Sequence, residues 1–270
     1  MHKMMMTALA GAGLLLSATA VPAATCGNTG AGFDAWLGQF KRQAVARGIP
    51  ARVANGALNG VRYNPYVIKL DRNQKSFKLS FAKFWRLRVN NAMIRKGKRL
   101  MQRYDRLFDR IERRYGVPRE VLVAIWGLET GFGRNSGKMS VIRSLATLAY
   151  DCRRAAFFRN ELMSALRILA RGDMTKRQMI GAWAGEIGQT QFLASKYVQY
   201  AVDFDGDGRR DLIRSVPDVL ASTANFLRGH GWRRGGGWNP GQPNYRVIKD
   251  WNRATVYQKT IARMANMLAN

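Results

Sequence analysis

The sequence predicts an all-α protein with long functional loops, and three observations point there. Apolar residues recur at helical spacing between Gly and Pro punctuation, while no alternating strand series, βαβ rhythm or internal repeat is present. The chain has 270 residues, 47% of them hydrophobic, enough to bury a sizeable core. Gly and Pro are scattered rather than clustered, which argues against a disordered tract.

The chain opens like an export signal. Lys3 supplies a positive start, residues 4–20 are uncharged and mostly apolar, and small residues offer cleavage sites after Ala20 or Ala23. The assignment is a signal peptide over 1–23, and a periplasmic domain over 24–270. The alternative is an uncleaved membrane anchor. Lipidation at Cys26 is opposed by bulky Thr25 where a small residue is wanted.

Phe33, Trp36, Leu37, Phe40 and Ala44 share one helical face over 33–47, and Gly48 stops it. Pro50 fits the first turn of a short helix ending near Gly60. Residues 63–77 lack periodicity and read as a connecting loop. Residues 89–115 read as one long basic amphipathic helix with Met93, Leu100, Tyr104, Leu107 and Ile111 on its stripe. Further helices are predicted over 118–129, 144–150, 155–169, 192–200, 217–230 and 256–268. A Gly-rich loop with Trp residues spans 229–241, and residues 243–248 read as a short extended piece. A helical core is placed at about 90–232, with the N-terminal helices and C-terminal segment packed on it.

The formal net charge is +28, and Lys3 is the only charge that signal removal would take away. Such a field favours a polyanionic partner. In an exported protein that means carboxylate-bearing peptidoglycan, an anionic membrane surface or cell-wall polymers and machinery, and export opposes nucleic acid. A generally basic proteome is the bland reading. Two cysteines, Cys26 and Cys152, in an oxidising compartment read as one disulfide, stabilising by roughly 3–5 kcal/mol; the alternative is two unpaired thiols. Two Cys and two His do not build a zinc site.

In the 118–129 helix, Leu122, Ile125 and Trp126 stand seven, four and three positions before Glu129 and share its face. An acid there projects from an apolar stripe at the negative end of a helix dipole, and both effects favour its neutral form, as a general acid requires. The spacing equally allows a structural helix-end Glu paired with Arg134.

The runs VAIWGLETGFGRNSG (123–137), SLATLAYD (144–151), GAWAGEIGQTQFLASKYVQYAVDFDGDG (181–208) and WNRATVY (251–257) resemble, in order, the lytic murein transglycosylases of the B type. The resemblance implies a lysozyme-like fold with a glycan-binding cleft. It also implies cleavage between N-acetylmuramic acid and N-acetylglucosamine, leaving a 1,6-anhydromuramoyl end. It makes Glu129 the acid/base, Gln191 a sugar-binding cleft residue, and Asn252 and Tyr257 the residues closing the site. Trp251 stands where the family often has Tyr, and is a candidate stacking surface. Trp183, Trp232 and Trp238 could also stack on sugar but equally fit core packing. Glu186 stands where the family often has an apolar residue. Arg153 and Arg154 either line the cleft near substrate carboxylates or lie on a solvated surface.

Asp203, Asp205, Asp207, Arg209 (through its carbonyl) and Asp211 begin an EF-hand-like loop, but Arg214 occupies the position of the bidentate acid. The loop reads as a weak calcium site or as an Asp/Gly turn held by carboxylate-to-amide bonds. No cofactor is required, peptidoglycan glycan strands are the partner, and the enzyme acts as a monomer. The competing functions are a hydrolytic muramidase and a non-catalytic cell-wall or polyanion-binding protein.

Overall fold

The structure, a computed structural model, describes residues 25–73 and 79–270; the signal peptide expected over 1–23 lies outside the described residues. The helices are α1 (Phe33–Ala46), α2 (Ala51–Leu58), α3 (Pro65–Arg72), α4 (Phe81–Arg88), α5 (Asn91–Arg103), α6 (Asp105–Tyr115), α7 (Arg119–Thr130), α8 (Val141–Tyr150), α9 (Ala155–Arg171), α10 (Ala194–Tyr200), α11 (Val216–Gly229), α12 (Tyr245–Trp251) and α13 (Thr255–Ala269). Two-residue strands, β1 (Met139–Ser140) and β2 (Ile180–Gly181), pair antiparallel. No described helix is long and apolar enough to cross a membrane.

The organising element is α7. Every residue from Val121 to Leu128 is buried, so it is apolar all round, and α13, α5 and α11 pack against it. A second layer pairs α8 with α9; α1, α2 and α3 cover that pair on one side and α10 extends it. One hydrophobic cluster runs from Phe33 to Leu268. Its N-terminal end is aromatic, with Phe33, Trp36, Tyr63 and Tyr150 in mutual ring contact. Next to it, Cys26 and Cys152 form a disulfide, and the Gly27 N–H donates to the Tyr150 carbonyl.

Three expected elements differ. Residues 65–72 are helical rather than loop. Asn64 caps α3 by accepting from the Tyr66 N–H (3.1 Å), with Pro65 in the first turn. The buried face of α3 is Val67 and Asp71, one apolar residue and one acid, so hydrophobic periodicity was absent. The long helix of 89–115 is broken at Tyr104 (φ −109°, ψ 25°). The break lays α5 on α7 and α13 while α6 packs on α11. The buried residues Gly97 and Phe108 are about three turns apart, so the pattern runs through the break without marking it. Residues 245–251 form α12 instead of an extended piece, burying Val247 and Ile248.

Candidate active site

Glu129 is the penultimate residue of α7, which stops at Gly131 in the left-handed region (φ 61°). The open carbonyls at this end receive cations: Arg88 Nη2 donates to the Leu128 carbonyl (3.0 Å) and Lys96 Nζ to that of Gly131 (3.4 Å). Trp251 Nε1 donates to Glu129 Oε1 at 2.9 Å. The buried Tyr257 hydroxyl faces the same carboxyl and interacts with it. Burial holds the Glu129 carboxyl above its ordinary range; Tyr257, Trp251 and Arg88 oppose the rise, and Glu186 adds to it. Burial also pushes the Tyr257 phenol well up, reinforced by Glu129.

Two non-glycine residues with left-handed backbone flank this end of α7: Phe132 (φ 64°) and Gln191 (φ 55°). Such conformations are costly and concentrate at functional sites. Phe132 is held edge-on against Trp126 (5.5 Å). Gln191 is held through its Nε2, which donates to the carbonyls of Gly188 (2.9 Å) and Ser136 (3.2 Å). With Phe192, Lys196, Phe226, Asp250 and Trp251 it lines a cavity of about 100 Å³.

The residue that seats this turn, Gln189, was missed. Its Oε1 accepts from Trp126 Nε1 (2.9 Å) and its Nε2 donates to the Ile213 carbonyl (2.9 Å). Its carbonyl accepts from Thr130 Oγ1 (2.6 Å). Two glutamines in one short motif look alike in sequence, and only burial separates the scaffold, Gln189, from the cavity residue, Gln191.

From the other side, α12 ends at Trp251, whose ring stands edge-on to Phe226 (5.0 Å) and Phe192 (5.6 Å). Trp251 therefore reaches the carboxyl with its N–H. Asn252 Oδ1 accepts from the Ala254 N–H (3.0 Å) and its carbonyl from Gln258 Nε2 (3.0 Å), shaping the entry to α13, where Tyr257 sits. Residues 252–256 line an open cavity of about 460 Å³. Trp232 is buried, donating to the Gly116 carbonyl, and Trp238 donates to Asn266.

Arg153 and Arg154 both pair with Asp71 of α3, so their charges have an internal partner. Beside them is Glu186, in a tight turn where the Ala182 N–H donates to the Glu186 carbonyl (3.0 Å). Its Oε2 is buried without a partner. Burial raises this carboxyl too, against backbone N–H groups of Glu186 and Ala184 and the charge of Arg154.

In the acidic loop, carboxylates of Asp203, Asp205 and Asp218 converge within 4.8 Å of one another. Asp218, on α11, was not in the expected set. Asp207 and Asp211 instead turn back on backbone N–H groups, of Arg209 (2.8 Å) and of Ile213 and Arg214 (both 2.9 Å). Arg209 lies on the exposed part of this loop, and Arg214 contributes its N–H to Asp211 rather than a ligand. The converging oxygens suit a hard cation; they also accept amide bonds, as from Gly206, Gly208 and Phe204.

Residues 32–242 match the transglycosylase SLT domain family. The chain is 39% identical over 160 residues to the membrane-bound lytic murein transglycosylase B of Escherichia coli K12; the match covers 56% of this chain and 44% of that protein, less than half its length. Among solved structures, SltB3 of Pseudomonas aeruginosa in complex with NAG-anhNAM-pentapeptide superposes with TM-score 0.84 at 32% identity, over 88% of this chain and 80% of that one. The Escherichia coli lytic transglycosylase Slt35 in complex with calcium gives 0.77 at 25% identity, over 86% and 92%. With the glutamate-bearing helix, the glutamine turn and the closing C-terminal helix arranged on this fold, the chain belongs to the B-type lytic transglycosylases, built on the transglycosylase SLT domain.

Proposed function

We propose that this chain is a peptidoglycan lytic transglycosylase that cuts the β-1,4 bond between N-acetylmuramic acid and N-acetylglucosamine and leaves a 1,6-anhydromuramoyl end. The observation that carries the reading is Glu129: a carboxyl at a helix end, kept toward its neutral form by burial, with Trp251, Tyr257 and Arg88 around it. As general acid, Glu129 gives its proton to the glycosidic oxygen while the C1–O bond breaks and its electron pair goes to that oxygen. The substrate's N-acetyl group stabilises the positive charge at C1. Glu129, now a base, removes the proton of the muramoyl 6-hydroxyl as O6 attacks C1 and closes the anhydro ring. One carboxyl suffices because the sugar supplies the nucleophile, whereas ordinary glycosidases need two. Gln191 positions sugar, since its Nε2 is tied to backbone and its Oε1 is left to accept from a hydroxyl or acetamide. Asn252 shapes the entry to the same cleft, and Arg153 and Arg154, anchored on Asp71 beside Glu186, would offer their remaining N–H groups to substrate carboxylates. The basic chain, exported to the periplasm, is drawn to the acidic wall.

Asp203, Asp205 and Asp218 would hold a calcium-class cation that clamps the 203–215 loop, the segment whose Ile213 carbonyl receives Gln189. Its contribution is rigidity.

A hydrolytic muramidase is the second reading, favoured by Glu186, a second buried carboxyl coupled to Glu129. Mass spectrometry of fragments released from purified peptidoglycan by the wild type and Glu129→Gln decides between them. Anhydromuropeptides from the wild type alone are expected. Reducing ends would establish the hydrolase, and equal release by both proteins would remove Glu129 from the chemistry.

A further inference from the structure

We propose that Trp251 is a positioning residue that assigns the catalytic proton of Glu129 to Oε2, and this rests on Glu129 acting as the acid. Indole Nε1 carries a hydrogen it cannot give up and has no lone pair to accept one. At 2.9 Å from Oε1 it must donate, and because the carbonyl oxygen of a carboxylic acid accepts better than its hydroxyl oxygen, the contact holds Oε1 as the carbonyl-like oxygen of the acid. The proton is then confined to Oε2 and leaves from that atom to the glycosidic oxygen. When Glu129 returns as base, Oε2 takes the proton of the 6-hydroxyl while the indole N–H continues to donate to Oε1, now part of a carboxylate. The same donor thus serves both halves of the reaction without changing direction.

The indole is built for this. Its ring is fixed edge-on between Phe226 (5.0 Å, 83°) and Phe192 (5.6 Å, 74°), and its backbone is the last residue of α12. A phenol, which the resemblance leads one to expect at this position, can also donate to Oε1, but unlike the indole it can accept as well. Tyr257 on α13 is a phenol facing the same carboxyl; because it can donate to the ionised form or accept from the neutral one, it follows the proton rather than fixing its place. The other charged groups acting on Glu129 are Arg88 of α4 and Glu186 of the 182–187 turn.

The test compares wild type, Trp251→Phe and Trp251→Tyr. Phe keeps the ring contacts and removes the N–H; Tyr returns a donor. On soluble glycan strands, Trp251→Phe is expected to lower kcat by about 10–100-fold with KM within about twofold, and Trp251→Tyr to recover most of the loss. A direct titration of the Glu129 carboxyl by carbon NMR, assigned with Glu129→Gln, is expected to move upward in Trp251→Phe, because a donor to the ionised form is lost. A kcat within twofold of wild type, a loss carried by KM alone, no recovery with Tyr, or a carboxyl titration unchanged or lowered would each overturn the proposal. The titration needs no substrate, so it decides the role of Trp251 even if the wild type released no anhydro fragments, which would instead sink the proposed function.

Discussion

Replacing Gln189 by Leu tests whether this one amide seats the glutamine turn on α7. The substitution nearly preserves volume, and Gln189 is only 8% exposed, so solvent offers little compensation. Two partners lose their bonds: Trp126 Nε1, 2.9 Å from Oε1, and the Ile213 carbonyl, 2.9 Å from Nε2. A buried polar group stranded in this way costs about 1–3 kcal/mol. Leu returns part of that through apolar contact, leaving an expected loss of about 2–4 kcal/mol. For a chain of this size that is a fall in Tm of roughly 5–15 °C. Urea denaturation followed by far-UV circular dichroism gives the free energy, and fragment release gives activity, expected to fall further than the folded fraction because Gln191 moves with the turn. A loss below 1 kcal/mol with full activity would refute the reasoning that Gln189 is the scaffold of the motif.

Glu186→Gln removes the like charge that adds to the rise in the Glu129 carboxyl. Glu129 then ionises at lower pH, and because the acid must start protonated, the basic limb of the pH–rate profile moves to lower pH; movement upward contradicts the coupling. Replacing Cys26 and Cys152 by Ala releases a link across 126 residues of sequence and should cost about 3–5 kcal/mol, read from a lower urea midpoint with a steeper slope because the unlinked unfolded chain is more expanded; an unaltered midpoint argues against the bridge. Millimolar calcium is expected to raise the Tm of the wild type and not of Asp218→Asn, and an identical response in both would exclude the Asp203, Asp205 and Asp218 set.

The sequence by itself determined the helical class, because the apolar spacing of α1, α7, α9 and α11 repeats with the period of the helix. It also drew attention to Glu129, an acid closing an apolar helical stripe, but the spacing alone equally allowed a structural helix-end Glu, and the acid/base role came from the resemblance of its flanking run. It did not disclose α3, whose buried face is half acidic, or the break at Tyr104, where two faces continue in phase. Only the tertiary structure decided which partners each polar group finds. It brought Trp251 to Glu129 across 122 residues, made Gln189 scaffold and left Gln191 to the cavity, turned Arg153 and Arg154 onto Asp71, and added Asp218 to the acidic loop. Apolar burial is a property that each residue carries along the chain with its period. A hydrogen bond or ion pair depends on a second residue, brought within about 3 Å by packing of helices far apart in sequence, and no local pattern encodes that meeting.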